Sequence, residues 1–405
     1  MSGSRWVFGD CEVDVAAFEL RRAGVAVHME PQVFDVLTYL IQHRDRVVPK
    51  TELLEHVWGD RFVSESALSS RLKAARRAVG DDGSTQGVIR TVHGRGYQFV
   101  AAVAEPDGGE GQRTVISSHG TWMPQVGQEI RFCSSPDGTR IAYAVAGQGP
   151  SVVKAANWMT HLDDDWDNPV WRHWLTGLAR SRRLIRYDER GCGLSDWDVR
   201  EFSFDAWVDD LELVVDTLEL ERFPLLGISQ GGAVAVAYAV RHPERVSHLV
   251  LSGAYPRGRL VRAVTDDERR EAALNIELAR VGWQRDDAAF RQVFTSQFLP
   301  DGTPELWEAF NELQRHSTTA DNAVRFLEVF ARIDVTNLAP QVRCPTLILH
   351  SRGDLRVPLS AARELAGLIP GSRLVPLPSR NHILTADEPA WPVFLAEVDR
   401  FLGVE

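Results

Sequence analysis

Two periodicities divide this chain. Between Trp6 and Val27 apolar positions alternate with polar ones and are broken by turns, one of them at Arg21-Arg22-Ala23-Gly24, which predicts a small antiparallel sheet. Val33, Val36, Leu37, Leu40 and Ile41 then follow helical spacing, a shorter helix is expected over Thr51 to Trp58, and Leu68, Leu72, Ala75 and Val79 form the stripe of a third. Val88 to Val100 reads as a hairpin with His93-Gly94-Arg95-Gly96 at its tip. From residue 129 onward the pattern changes. A hairpin over Ile130 to Ala146 turns at Pro136-Asp137-Gly138. Short apolar runs then alternate with helical stretches: Val152 to Ala156, Leu184 to Tyr187, Val208 to Leu218, Phe223 to Ile228, Gly232 to Val240, Val246 to Leu251, Pro345 to His350, Ala361 to Leu368, Leu374 to Leu377 and Val393 to Leu402. That alternation predicts a mostly parallel sheet with helices on both faces. Residues 255–338 interrupt it with Ala, Glu, Arg and Phe at helical spacing, which predicts a helical cap.

The expected organisation is a domain over 1–104, a Pro/Gly-rich linker over 105–128 and an α/β domain over 129–405. Charge sharpens that division. The first 104 residues carry 13 basic and 13 acidic side chains, so the whole formal charge of -11 falls on residues 105–405. An acidic main body argues against wrapping nucleic acid or lying on an anionic membrane. Cys11, Cys133, Cys192 and Cys344 follow no metal or redox spacing, and no signal peptide opens the chain. A cytoplasmic protein with reduced thiols, no membrane span, no metal and no cofactor is expected.

The third helix breaks the neutrality of the first domain. From Ser64, a good N-cap, to Val79 it carries four basic residues and one acid. Ser66, Ser70, Lys73 and Arg77 lie opposite the apolar stripe, with Arg71 and Arg76 flanking. A basic helix followed by a basic-tipped hairpin suits major-groove entry with a wing on the backbone, and equally suits a solvated helix beside a hairpin. Arg46-Val47-Val48, Glu52-Leu53-Leu54, Val57-Trp58-Gly59 and Ile89-Arg90-Thr91-Val92-His93-Gly94-Arg95-Gly96-Tyr97 favour the first. With these motifs residues 5–101 resemble the OmpR/PhoB-type winged-helix DNA-binding domain. The resemblance implies double-stranded DNA as partner, with Ser66, Ser70, Arg71, Lys73, Arg77 and Arg95 at the interface. The family's recognition helix usually has a denser run of arginines, interrupted here by Ala74 and Ala75. Fewer phosphate contacts imply weaker binding per monomer, so a homodimer is expected.

The strongest chemical signal is Gly227-Ile228-Ser229-Gln230-Gly231, which fits G-x-S-x-G between a predicted strand and a predicted helix. That context places Ser229 on a tight, strained turn whose flanking glycines avoid clashes. A serine nucleophile needs a base and a group to orient that base. Asp354 follows the strand ending at His350, and His382 follows the strand ending at Leu377. His242, His248 and His350 lie in or beside core elements and are poorer bases. Ser229, Asp354 and His382 thus stand in the order this motif uses.

With Tyr187-Asp188-Glu189-Arg190-Gly191-Cys192-Gly193-Leu194-Ser195-Asp196 added, residues 130–404 resemble the α/β-hydrolase superfamily. The resemblance implies a Ser229, Asp354 and His382 triad and an oxyanion hole from the backbone N–H groups of Gln230 and Trp158. The family usually has His-Gly after the third strand, where this chain has Ala156-Asn157 before Trp158. A left-handed Asn157 would keep the Trp158 N–H pointing inward. Losing that donor would cost ~10²–10³ in rate. Between His161 and Trp174 stand Trp166, Trp171 and Trp174 and several aspartates. The tryptophans read either as a stacking wall for an apolar ligand or as helix packing, and the acids as a solvated loop.

The fold class is therefore α/β: an N-terminal winged helix (α+β), then an α/β-hydrolase domain with a mostly parallel sheet and helical cap. The reading is a one-component transcriptional regulator whose second domain senses or slowly hydrolyses a small apolar ester or lactone. The alternatives are a serine esterase that the winged helix only localises, and an interaction scaffold with both sites vestigial.

Overall fold

The computed structural model describes the chain except for residues 1–4, 16–18, 28, 30, 59–64, 82–85, 93–94, 104–126 and 404–405. It forms two compact units, Met1–Gly120 and Thr121–Glu405. The linker expected at 105–128 falls almost wholly outside the described residues, as do Ser64 and the hairpin tip His93-Gly94.

In the first unit β1 (Arg5–Phe8), β2 (Cys11–Asp14), β3 (Glu19–Arg22) and β4 (Val25–Val27) make an antiparallel meander. Ala23 and Gly24 both have positive φ at the β3–β4 turn, the backbone a tight two-residue hairpin of matching twist requires. Helices α1 (Pro31–Gln42), α2 (Lys50–Trp58) and α3 (Glu65–Ala78) follow, then the hairpin of β5 (Ile89–Val92) and β6 (Gly96–Phe99). The stripe read from the sequence is the buried face of α3: Leu68, Leu72, Ala75 and Val79 all join the core of this unit. Tyr97 of β6 bridges to Val48 between α1 and α2, tying the hairpin to the helices. Gly96 (φ +140°) allows this approach, because a Cβ there would strike the Val48 carbonyl.

The second unit is built on an eight-stranded sheet. The antiparallel strands β7 (Gln128–Ser134) and β8 (Arg140–Ala146) form one edge. Next in sequence come β9 (Ser151–Lys154), α4 (Leu162–Asp167), α5 (Arg172–Ala179), β10 (Arg183–Tyr187), α6 (Phe204–Thr217), β11 (Phe223–Ile228), α7 (Gly231–Arg241) and β12 (Val246–Ser252). The chain returns to the sheet at β13 (Thr346–Ser351) after four longer helices and a short one. These are α8 (Arg259–Arg262), α9 (Asp266–Gly282), α10 (Ala289–Phe298), α11 (Pro304–Ser317) and α12 (Ala320–Arg332). It closes with α13 (Leu359–Leu368), β14 (Arg373–Leu377) and α14 (Ala390–Leu402). The strand order is β14-β13-β12-β11-β9-β10-β8-β7. All pairings from β10 to β14 are parallel. Strands buried on both faces read as unbroken apolar runs, and all six residues of β13 are buried. The insertion expected at 255–338 is helices α8–α12. No helix among the described residues is long and apolar enough to cross a membrane.

The tryptophans of the entrance stretch are packing residues. Trp171 and Trp174 are buried, and Trp174 stacks with Trp391 and Phe394 of α14 while its Nε1 donates to the Leu384 carbonyl. One acid departs from the solvated loop expected: Asp165 is buried and accepts from Arg186 at 3.1 Å.

Candidate active site and winged-helix surface

Ser229 stands where β11 ends and α7 begins, with φ +54°. A non-glycine residue in that region is strained, and the surroundings hold it there. Its N–H donates to the Ser252 carbonyl at 2.9 Å. A Cβ on Gly227 would lie 2.6 Å from the Gly232 Cα, and one on Gly231 would meet the Ala156 carbonyl. The motif's glycines are thus imposed by contact of strand, elbow and helix.

The base and its partner come from the neighbouring strand ends. His382 Nδ1 lies 2.6 Å from Asp354 Oδ2, both groups buried. Asp354 Oδ1 accepts from the backbone N–H of Arg356 at 2.8 Å and of Val357 at 2.9 Å. Burial pushes the Asp354 carboxyl up, and His382 with these backbone donors outweighs it, holding the group below its ordinary value. His350 comes within 3.5 Å of Asp354, but its Nε2 is 2.9 Å from the Val357 carbonyl, so that ring is spoken for. An Asp354 bond at Nδ1 leaves Nε2 of His382 as the free nitrogen, and that atom is buried without a hydrogen-bond partner. A Cβ on Gly253 would sit 2.9 Å from His382 Cε1, so the ring stands directly over Gly253. Ser252, which anchors the Ser229 backbone, is the preceding residue. The sheet therefore gathers serine, histidine and aspartate at one edge.

The oxyanion side differs from the expectation. The left-handed residue is Trp158 itself (φ +44°), and Asn157 is not among the positive-φ residues. Asn157 is instead buried with its Oδ1 accepting from Lys154 Nζ. The Trp158 N–H is intact, but it donates to the side-chain Oε1 of Gln230 at 2.9 Å. Of the two donors expected for an oxyanion, the Trp158 N–H is thus engaged by the side chain of the other residue, Gln230. The Gln230 amide also reaches Glu189 Oε1 at 3.5 Å. Glu189 is fully buried, its Oε2 has no partner, and burial followed by Asp210 pushes its carboxyl up to about 8. A carboxyl raised above its unfolded value favours the fold while neutral. That contribution is complete below about 4.5 and fades as pH rises towards 8. Glu189→Gln is therefore expected to raise the melting temperature over wild type at pH 8, with the gap closing at pH 5. A gap independent of pH would show that Glu189 is ionised throughout.

A small cavity, partly open to solvent, lies over Ser229, Gln230 and Trp158. Trp158 packs among Trp283, Phe294, Phe298 and Phe330 of the inserted helices. The wall also presents Arg259, Arg262 and Arg356. Nothing in the sequence marked these: two sit in a helical insertion where arginines normally face water, and the third follows Asp354 in a loop.

In the first unit α3 carries Lys73 and Arg77 exposed, and Arg95 is exposed at the start of the returning strand. Arg71 is half-buried, its Nε donating to Gln32 of α1 at 3.2 Å. The side chains of Ser66 and Ser70 lie outside the described ones. Arg76 faces inward to the hairpin, donating to the Ile89 carbonyl at 2.9 Å and Thr91 Oγ1 at 2.8 Å, which fixes the wing against α3.

Residues 24–99 match the family described as transcriptional regulatory protein, C terminal, and residues 164–389 match the alpha/beta hydrolase fold family. A 2-hydroxy-6-oxo-2,4-heptadienoate hydrolase of Pseudomonas putida is 29% identical over 250 residues, covering 57% of this chain and 78% of that protein. The AB hydrolase superfamily protein YisY of Bacillus subtilis is 30% identical over 217 residues, covering 50% of this chain and 75% of that one. Among solved structures, an esterase from Rhodococcus sp. ECU1013 matches with TM-score 0.56 at 26% identity, over 68% of this chain and 98% of its own. The chain belongs to the alpha/beta hydrolase family and carries, ahead of that domain, a winged helix of the OmpR/PhoB type.

Proposed function

We propose that this protein is a one-component transcriptional regulator: the winged helix binds double-stranded DNA as a homodimer, and the hydrolase domain senses or slowly hydrolyses a small ester or lactone. The observation that carries the reading is the joining of a winged helix to a domain whose pocket lies over Ser229, with His382 paired to Asp354 nearby and the Trp158 N–H already engaged by Gln230. In this proposal Ser229 attacks an acyl carbonyl while His382 takes its proton and Asp354 holds the imidazole. His382 then protonates the leaving alcohol. Water cleaves the acyl-enzyme, releasing the acid and restoring the Ser229 hydroxyl. Relatives carrying the names of hydrolases support the chemistry, and a slow site suits a sensor, since a ligand must persist to report. The same hydrolase names favour a second reading, a serine esterase that the winged helix only places on DNA.

A binding-site selection from random duplexes with the full chain supplies an operator, on which protein with and without a fluorophosphonate on Ser229 is compared. The regulator reading expects a changed operator affinity on modification. An unchanged affinity favours the esterase reading, and selection without any sequence preference removes DNA recognition. On the same operator Lys73→Ala is expected to lower affinity and reduce the slope of log affinity against log salt by about 1, one phosphate contact. An intact slope would move Lys73 off the backbone.

A further inference from the structure

The wall of the pocket holds an imbalance of charge. Arg259 and Arg262 stand one turn apart on α8, and Arg356 enters from the loop behind Asp354. Their partners are nearly all neutral. Gln297 Oε1 accepts from Arg259 at 3.1 Å and from Arg356 at 2.9 Å. The Arg356 carbonyl accepts from Arg259 at 3.4 Å and Arg262 at 3.5 Å. The Arg356 guanidinium lies 5.1 Å from the ring centroids of Trp158 and Phe298, and that of Arg262 5.7 Å from Tyr255. Among the described residues one carboxylate pairs with the three: Glu271, 3.2 Å from Arg259, with a side chain 63% exposed. The residues lining the cavity include no Asp or Glu.

Burial first, and then the charge of Arg259, drive the Arg356 guanidinium well below its ordinary value. Three guanidiniums with one exposed carboxylate paired to them and the Asp354 charge, itself held by His382, close by are undercompensated, and an anion placed among them lowers the cost of gathering them. Arginine's planar fork suits a carboxylate, which it can engage through two parallel N–H bonds. Ile276, Leu327 and Phe330 line the same wall, an apolar surface for a short hydrocarbon spacer to pack on.

We propose that this pocket takes an acyl compound bearing a carboxylate remote from the carbonyl that faces Ser229, the carboxylate lying among Arg259, Arg262 and Arg356. The proposal rests on the pocket being the ligand site described above, and it replaces the wholly apolar ligand that the sequence pattern suggested. It also gives the elbow a ruler: carboxylate at the arginines, scissile carbonyl at the serine.

The test compares mono-p-nitrophenyl glutarate with p-nitrophenyl valerate, esters of equal acyl length that differ in the terminal carboxylate. Each releases p-nitrophenol and the free acid on hydrolysis. Wild type is expected to favour the glutarate hemiester at least tenfold in kcat/KM, and Arg262→Met to bring the ratio towards one. Equal or faster turnover of the valerate ester by wild type overturns the proposal while leaving the serine chemistry standing. If neither ester turns over, the catalytic reading fails and the inference is judged by melting temperature. Stabilisation by glutarate, absent with valerate and with inorganic phosphate and lost in Arg262→Met, supports it. No stabilisation, or stabilisation by phosphate as large as by glutarate, overturns it.

Discussion

Ser229→Ala is expected to remove fluorophosphonate labelling entirely and to lower p-nitrophenyl ester turnover by about 10³-fold or more. In the proposed mechanism the serine, histidine and aspartate act as a unit, so deleting the attacking oxygen costs nearly what deleting all three would. Ser229 is also where loss of function separates most cleanly from loss of fold. Alanine keeps the Cβ that serine already places at φ +54°, so the substitution removes the hydroxyl and asks nothing new of the backbone. A melting curve close to wild type should accompany the silent probe. Labelling that survives in Ser229→Ala would move the nucleophile elsewhere. Failure of the wild type to label, in folded protein, would leave a non-covalent pocket. His382→Ala should match the serine variant in labelling rate, because the alcohol is a weak nucleophile without a base. Asp354→Asn should cost about 10⁴ in kcat with the geometry kept: the two backbone donors hold its amide oxygen, so its NH2 faces His382 Nδ1, makes that nitrogen the acceptor and leaves Nε2 protonated.

The sequence announced the scaffold because burial writes itself into spacing. A strand buried on both faces must be largely apolar, as β11 and the Leu347-Ile348-Leu349 centre of β13 are, and an α3 packed on one face must carry its stripe at Leu68, Leu72, Ala75 and Val79. The elbow was legible for a related reason: Gly227 and Gly231 face backbone at distances no side chain fits, so steric necessity fixed the letters. What spacing does not encode is which long side chain bends where. Arg259, Arg262 and Arg356 come from an inserted helix and a loop that are 94 residues apart or more, and they converge only because both segments pack over the same sheet edge. Trp171 and Trp174 show the reverse limit. Their place at the start of α5 fitted an entrance as well as a packing surface, and for Trp174 only α14, more than two hundred residues onward, decides for packing. The six-residue α4 escaped the pattern because it is too short to display two turns of stripe.

The second large effect runs upward. Gln230→Ala is expected to raise kcat on the preferred p-nitrophenyl ester by at least tenfold. In the resting site the Trp158 N–H is held by Gln230 Oε1 at 2.9 Å, so a developing oxyanion must displace an existing hydrogen bond before it gains that donor. One well-placed oxyanion donor is worth ~10²–10³ in rate, which sets the ceiling for what the alanine variant recovers. The backbone N–H of Gln230, the other donor expected in the hole, survives the substitution. Because the gain arises only as charge develops, kcat should rise with little change in KM. Gln230→Glu supplies the opposite case: an ionised carboxylate at this position would accept more strongly from the Trp158 N–H and repel the oxyanion, so kcat should fall. Glu189, neutral while its carboxyl titrates near 8, adds no negative charge of its own to wild type at pH 7. A fall in kcat for both variants would assign Gln230 a different task, that of keeping Trp158 in its strained left-handed backbone. The two outcomes divide on one point of physics: whether the glutamine amide competes with the transition state for the Trp158 N–H, or holds that N–H in the position from which the transition state takes it.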